Sequence, residues 1–150
     1  STSKKGPSSA ASTDAVQGWL GRNCSVTLRD GALHVAPAAG AKASKPFITR
    51  NGLNLTGPLT VTIRLRGNGS GQCGVAWRLD GQKDFVPGES TSSQLAATPD
   101  WQTLKLEVPA KGAVIHLRLM LPPGGTTDIS RIELQGAGTE KKASWSFDRQ

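Results

Sequence analysis

The chain has 150 residues, with eighteen glycines, nine prolines, four tryptophans, no tyrosine and a formal charge of +7. That length suits one domain able to bury a core without metal or disulfide staples. No stretch approaches the roughly eighteen consecutive apolar residues of a membrane helix, which argues against a membrane partner, and the excess of basic residues favours anionic partners.

Residues 1–15 open as STSKKGPSSAAST, rich in serine, alanine and lysine and without periodicity, which reads as a disordered leader or linker. The chain does not begin with Met and reads as a processed or excerpted fragment. Residues 16–150 are expected to form a single domain of short strands. Ser25 to Arg29 and Ala32 to Ala36 flank Asp30-Gly31, a hairpin signal. Leu59 to Arg66 is the clearest strand, with Leu59, Val61, Ile63 and Leu65 on one face and Thr60, Thr62, Arg64 and Arg66 on the other. Cys73 to Leu79 follows the glycine-rich GNGSG turn and ends at Asp80-Gly81. Trp101 to Val108, Val114 to Leu121 and Asp128 to Leu134 alternate in the same way, and Ser144 to Asp148 reads as a short last strand. Strands at this spacing, with no amphipathic helix, predict an all-β antiparallel sandwich. The expected interior is Val61, Ile63, Leu65, Leu104, Leu106, Ile115, Leu117, Leu119, Ile132 and Leu134, while Trp19 and Trp145 are expected to pack together and close the sandwich.

Enzyme chemistry finds little support. Neither Cys24 nor Cys73 lies in the Cys/Ser-x-Pro/Ala-x-Arg context from which a sulfatase nucleophile matures. Asp30, Asp80 and Asp100 sit at turns, where aspartate serves local backbone hydrogen bonds, rather than as the facing pair of a glycosidase. There is no Gly-x-Ser-x-Gly elbow, and GNGSG lacks the lysine and helix of a phosphate loop. The chain also lacks an aromatic-interleaved basic motif, so its charge alone does not make it a nucleic-acid binder. The two cysteines, with only two histidines, do not make a structural zinc site. They fit either one disulfide or two buried free thiols.

The binding candidates are Arg64, Arg66, Arg78, His116 and Arg118, all opposite the apolar parity of their strands, and Phe85 in a loop. If the Leu59–Arg66 and Val114–Leu121 strands are neighbours, one sheet face carries Arg64, Arg66, His116 and Arg118 together. Such a face would take an anionic ligand bidentately, less tightly as salt rises and more tightly below about pH 6.5. The alternative is a solvated face whose arginines pair with Glu107, Glu133 and other local acids. Trp77 shares the core parity of its strand, and Phe85 is the freer aromatic.

The succession RDGALHV, LTVTIRLRG, CGVAWRLDGQKDF, DWQTLKLEVP, VIHLRLMLP and DISRIEL resembles the galactose-binding-like jelly rolls used as carbohydrate-binding modules. It is similar above all to the C-terminal ancillary modules of secreted bacterial sulfatases, where a closing W-x-F, here Trp145-Ser146-Phe147, recurs. The resemblance covers about residues 19 to 148. It implies a jelly-roll fold and a non-catalytic, carbohydrate-binding role beside an N-terminal catalytic domain of the parent chain, in a secreted or periplasmic protein. Its ligand would be a polysaccharide, and the arginines favour a sulfated one. A structural or docking domain that packs on its catalytic partner without binding sugar is the alternative. No cofactor is required. Jelly rolls of this kind often hold a structural calcium between their first and last strands, for which Asp128 is the one carboxylate in place. The resemblance makes Trp101 structural.

Nothing in the first thirteen residues can bury enough apolar area to offset the entropy of ordering. Their amides should exchange with solvent at the rate of an unstructured peptide; slow exchange across Ser3 to Ser12 would overturn the domain boundary.

Overall fold

The computed structural model describes residues 17–37, 46–69, 71–86, 88–122, 125–136 and 142–147. The expected leader, residues 1–15, lies outside the described residues. Among the described residues twelve strands occur and no helix. They are β1 (Leu20–Arg22), β2 (Cys24–Arg29), β3 (Ala32–Pro37), β4 (Phe47–Arg50), β5 (Leu55–Thr56), β6 (Leu59–Gly67), β7 (Gly71–Leu79), β8 (Ser90–Leu95), β9 (Thr98–Val108), β10 (Ala113–Met120), β11 (Thr127–Gly136) and β12 (Lys142–Ser146).

All pairings are antiparallel and fall into two sheets. Sheet I runs β1-β4-β10-β7-β8, with β5 also on β10; sheet II runs β2-β3-β11-β6-β9, with β12 also on β11. This is the antiparallel sandwich that the alternating segments predict, in the jelly-roll form that the resemblance implies. The hairpin between β2 and β3 turns on Asp30 and Gly31, whose φ values of 54° and 76° are those of a tight turn matched to strand twist. Glycine tolerates the second position without cost.

Strand parity builds the core. In β6, Leu59, Val61, Ile63 and Leu65 are at most 1% exposed, and they meet Val75, Trp77, Leu117, Leu119, Ile129, Ile132 and Leu134 in one cluster. The terminal tryptophans join it as expected, Trp19 and Trp145 meeting edge to face with centroids 5.2 Å apart. Cys24 and Cys73 are free thiols on strands of different sheets. Burial pushes the Cys73 thiol up to about 12, which keeps it protonated and unreactive.

One expected core residue is displaced. Register shifts between Val114 and His116, so that Val114 is fully buried and Ile115 is only half-buried. The extra residue of this bulge takes Ile115 out of the inward parity and restores it for Leu117 and Leu119. Leu104, on the edge strand β9, is packed against the core but only partly buried.

Leu117 is wholly buried opposite Trp77. Leu117→Ala should therefore destabilise the protein by about 2–5 kcal/mol in denaturant unfolding. A loss below about 0.5 kcal/mol would place that side chain in water and contradict the sandwich.

Candidate functional site

The sandwich separates the basic residues that strand parity alone would allow on one face. β6 belongs to sheet II and β10 to sheet I, so the two strands are not neighbours. Arg64 and Arg66 emerge on the outer face of sheet II; Arg78, His116 and Arg118 emerge on the outer face of sheet I. The reason lies in packing: each strand turns its apolar parity inward, so its polar parity points to opposite surfaces in the two layers.

On sheet I the registers align Arg118 with Thr49 of β4 and Ala76 of β7, and His116 with Arg78. Phe47 pairs with Met120 in the same parity. The β7–β8 connection brings Phe85 over this face. Its guanidinium neighbour is Arg118, whose central carbon lies 3.9 Å from the Phe85 ring centroid and 5.0 Å from that of Phe47. The Phe85 ring also meets the His116 ring edge-on at 4.9 Å. Arg118 is thus held between two aromatic rings, an arrangement suited to a delocalised cation.

The connection itself is anchored. Gln82 ties its two ends: its backbone N–H donates to the Leu79 carbonyl at 3.0 Å, and its Nε2 donates to Glu89 Oε1 at 3.2 Å. Arg78 Nη1 donates to the Gln82 carbonyl. Among the described residues no carboxylate lies within ion-pair distance of Arg78 or Arg118. Glu89, at the far end of this connection, is engaged by Gln82. Further along the face, Gln72 Nε2 donates to Gln94 Oε1 at 3.2 Å across β7 and β8.

His116 is linked to Thr49, with Nε2 and Oγ1 2.6 Å apart, while the Thr49 hydroxyl donates to the Leu117 carbonyl at 3.0 Å. With its single hydrogen used on that carbonyl, the hydroxyl oxygen accepts from Nε2–H, leaving Nδ1 as the acceptor of the neutral ring. Burial, and then the positive charges of Arg78 and Arg118, hold His116 below its ordinary value of 6.5. Protonation of the face therefore begins at lower pH than its unperturbed value suggests.

Sheet II is electrostatically different. Asp128 Oδ1 lies 2.7 Å from His34 Nδ1, and Arg66 Nε reaches Asp128 Oδ2 at 3.4 Å. Arg131 pairs with Glu133 at 2.7 Å, and Arg64 donates to Ser130 Oγ at 3.0 Å. Both guanidinium groups of β6 lie over Trp101, at 4.5 Å for Arg64 and 4.3 Å for Arg66. Trp101 is therefore an outer-face residue. Of the two β6 arginines, Arg66 meets an acid, Asp128, and Arg64 a hydroxyl; Glu107 takes Thr60 and Glu133 takes Arg131 instead. Asp128 does not fit calcium: both of its oxygens face cationic or N–H donors, and no cluster of three His, Cys, Asp or Glu side chains occurs among the described residues.

Phe47, Thr49, Gln72 and Gln94 belong to the sheet I face and carry no clear sequence signal. The four-residue β4 is too short to show alternation, and β8 (STSSQL) is mostly polar.

The fold is that of known carbohydrate-binding modules. A variant of a family 29 carbohydrate-binding module superposes with a TM-score of 0.57 at 15% identity, over 79% of this chain and 80% of that one. A variant described in complex with cellulohexaose gives 0.58 at 14% identity, again over 79% and 80%. A third, described in complex with mannohexaose, gives 0.56 at 14% over the same shares. No family model matches the chain, and the curated proteins hold no sequence match to it.

The depressed His116 sets a pH dependence. The folded protein binds a proton there less readily than the unfolded chain, so the associated stability is complete above about pH 6.5 and declines as pH falls through the lowered value. Titration of the His116 ring by NMR should give a pKa below 6.5, raised by either Arg78→Ala or Arg118→Ala. A value at or above 6.5 in the parent protein would contradict the crowded cationic face.

Proposed function

We propose that the chain is a non-catalytic carbohydrate-binding module of a secreted, sulfatase-like enzyme, and that it holds an anionic, sulfated glycan across the outer face of sheet I. The jelly-roll fold and its neighbours among carbohydrate-binding modules support the general role. The ordered motifs that resemble sulfatase-associated modules support the parent enzyme and a place outside the cytoplasm.

The observation that carries the choice of face and charge is the setting of Arg118: clamped by Phe47 and Phe85, beside Arg78, with no carboxylate partner among the described residues. A guanidinium fixed by stacking presents its N–H fork with little conformational entropy left to lose, and sulfate or carboxylate oxygens match that fork. The rings add apolar faces against which the C–H side of a sugar can rest. Arg64 and Arg66, which the sequence suggests as partners in the site, lie on the other sheet, outside this face, and Arg64 serves as its control.

A second reading has one observation in its favour. Leu20, aligned with Thr49 at the edge of this face, and Val86, next to Phe85, are the exposed large apolar residues among the described residues, at 44% and 42%. They suit a docking surface for the catalytic domain of the same enzyme.

Affinity for a sulfated polysaccharide against its desulfated form separates the readings. The parent should prefer the sulfated form, and binding should weaken as salt rises. Arg118→Ala should cost about 1.5–3 kcal/mol, or roughly ten- to a hundredfold, while Arg64→Ala should bind like the parent. Indifference to sulfation, or an unchanged Arg118→Ala variant, would remove the anionic-glycan reading and leave the docking surface.

A further inference from the structure

A second recess lies at the end of sheet II, away from the Arg118 face. It is an open groove of about 410 Å³ between the end of β6, the β8–β9 connection and the start of β11. That size falls in the range of small-ligand sites. Its lining includes Arg66 and Asp128, Asn68, and Ala97, Thr98 and Pro99.

Its rim is held by short contacts. Asn68 N–H donates to the Thr126 carbonyl at 3.1 Å, and Thr126 N–H donates back to Asn68 Oδ1 at 2.8 Å. A Cβ on Gly67 would come within 2.3 Å of the Thr126 carbonyl oxygen, and one on Gly125 within 2.2 Å of Asn68 Oδ1. Both positions therefore exclude a side chain, and the two connections close on each other without filling the groove. The Asn68 amide nitrogen is left over from this arrangement as a donor.

The charge in the groove cancels. Arg66 and Asp128 form one cation–anion pair, and the other lining groups are hydroxyl, amide and hydrocarbon. His34 orients the Asp128 carboxylate from behind by its 2.7 Å contact on Oδ1, while the Arg66 contact on Oδ2 is long at 3.4 Å. An acceptor and a planar donor thus stand side by side, the pattern that satisfies two adjacent hydroxyls of a sugar ring. Ala97 and Pro99 offer apolar surface to the ring's C–H groups.

We infer that this groove is a second saccharide site, and that it takes a neutral sugar residue through two neighbouring hydroxyls on Asp128 and Arg66. It shares the carbohydrate-binding role proposed above but none of its residues, and its ligand differs in charge. A module with both sites would hold a sulfated segment on one sheet and a neutral chain end or branch on the other.

The test is titration of the isotopically labelled protein with neutral hexasaccharides of glucose and of mannose, followed by amide NMR. The amides of Gly67, Asn68 and Thr98 should shift saturably with at least one of them. Ala97→Trp, which plugs the groove without removing a hydrogen bond, should weaken that binding at least about tenfold, the scale of one lost polar contact. Arg118→Ala should leave it unchanged. Should the tryptophan impair folding, Asp128→Asn keeps the side chain's shape and should weaken binding likewise. Shifts confined to Thr49, Ala76 and His116, no groove shifts with either sugar, or an undiminished affinity in a folded Ala97→Trp variant would overturn the second site. Each result is independent of sulfated-glycan binding on sheet I, so either site can fail alone.

Discussion

The apolar layer between the two sheets is the constraint from which the rest of the molecule follows. Leu59, Val61, Ile63 and Leu65 of β6 and Leu117 and Leu119 of β10 must all leave water, and burial of such side chains is the dominant favourable term in folding. Two strands with strong one-sided parity can do so in adjacent positions of one sheet or facing each other from two. Here they face each other. Every polar residue on β6 is thereby committed to one outer surface and every polar residue on β10 to the other. The sandwich acquires two chemically distinct faces as a consequence of how it buries its core.

Their electrostatic characters diverge because acids are distributed unevenly. Sheet II sets Asp128 of β11 in register with Arg66 of β6 and Ser130 within reach of Arg64, while Glu133 pairs along β11 with Arg131, so its cations find carboxylates or hydroxyls nearby. Sheet I has no acid among Phe47, Thr49, Ala76, Arg78, His116 and Arg118. Two guanidinium groups and an imidazole therefore crowd together with aromatic rings as their main support, and burial first, then the two guanidinium charges, hold the His116 pKa below its ordinary value. Such an arrangement costs some stability in the free protein. In the proposed function that cost falls as the anionic ligand binds, which is the energetic logic of a preformed site. The Gln82–Glu89 bond and the turn at Asp80-Gly81 keep Phe85 in place before any ligand binds.

Much of the fold was legible in the sequence because period-two alternation is a direct imprint of a half-buried strand. β6 and the Asp30-Gly31 hairpin are read almost to the residue, and the Trp19–Trp145 contact follows from their apolar character near the two ends of the domain. The bulges were not legible. Nothing in VIHLRLML says that Ile115 is the extra residue, since Val114 and Ile115 are equally apolar and only pairing with β7 chooses between them. Short or polar strands such as β4 and β8 gain their conformation from neighbours rather than from their own pattern. The site suffered most from this. Arg78, His116, Arg118 and Phe85 do come together, but Phe47 and Thr49 arrive on an unseen strand, and Arg64 and Arg66 leave because strand adjacency is a property of topology that parity alone does not carry. Asp128, read as a metal ligand, is instead the acceptor for His34 and Arg66.

The central claim is that a glycan lies against the aromatic clamp around Arg118 rather than against the surface around Trp101, whose arginines have local partners. The most direct measurement is a set of intermolecular nuclear Overhauser effects in a complex with a sulfated oligosaccharide. Sugar-ring protons should show contacts to the ring protons of Phe47 and Phe85, and none to the Trp101 indole. Contacts to Trp101 with none to either phenylalanine would contradict the account and move the sulfated ligand to sheet II.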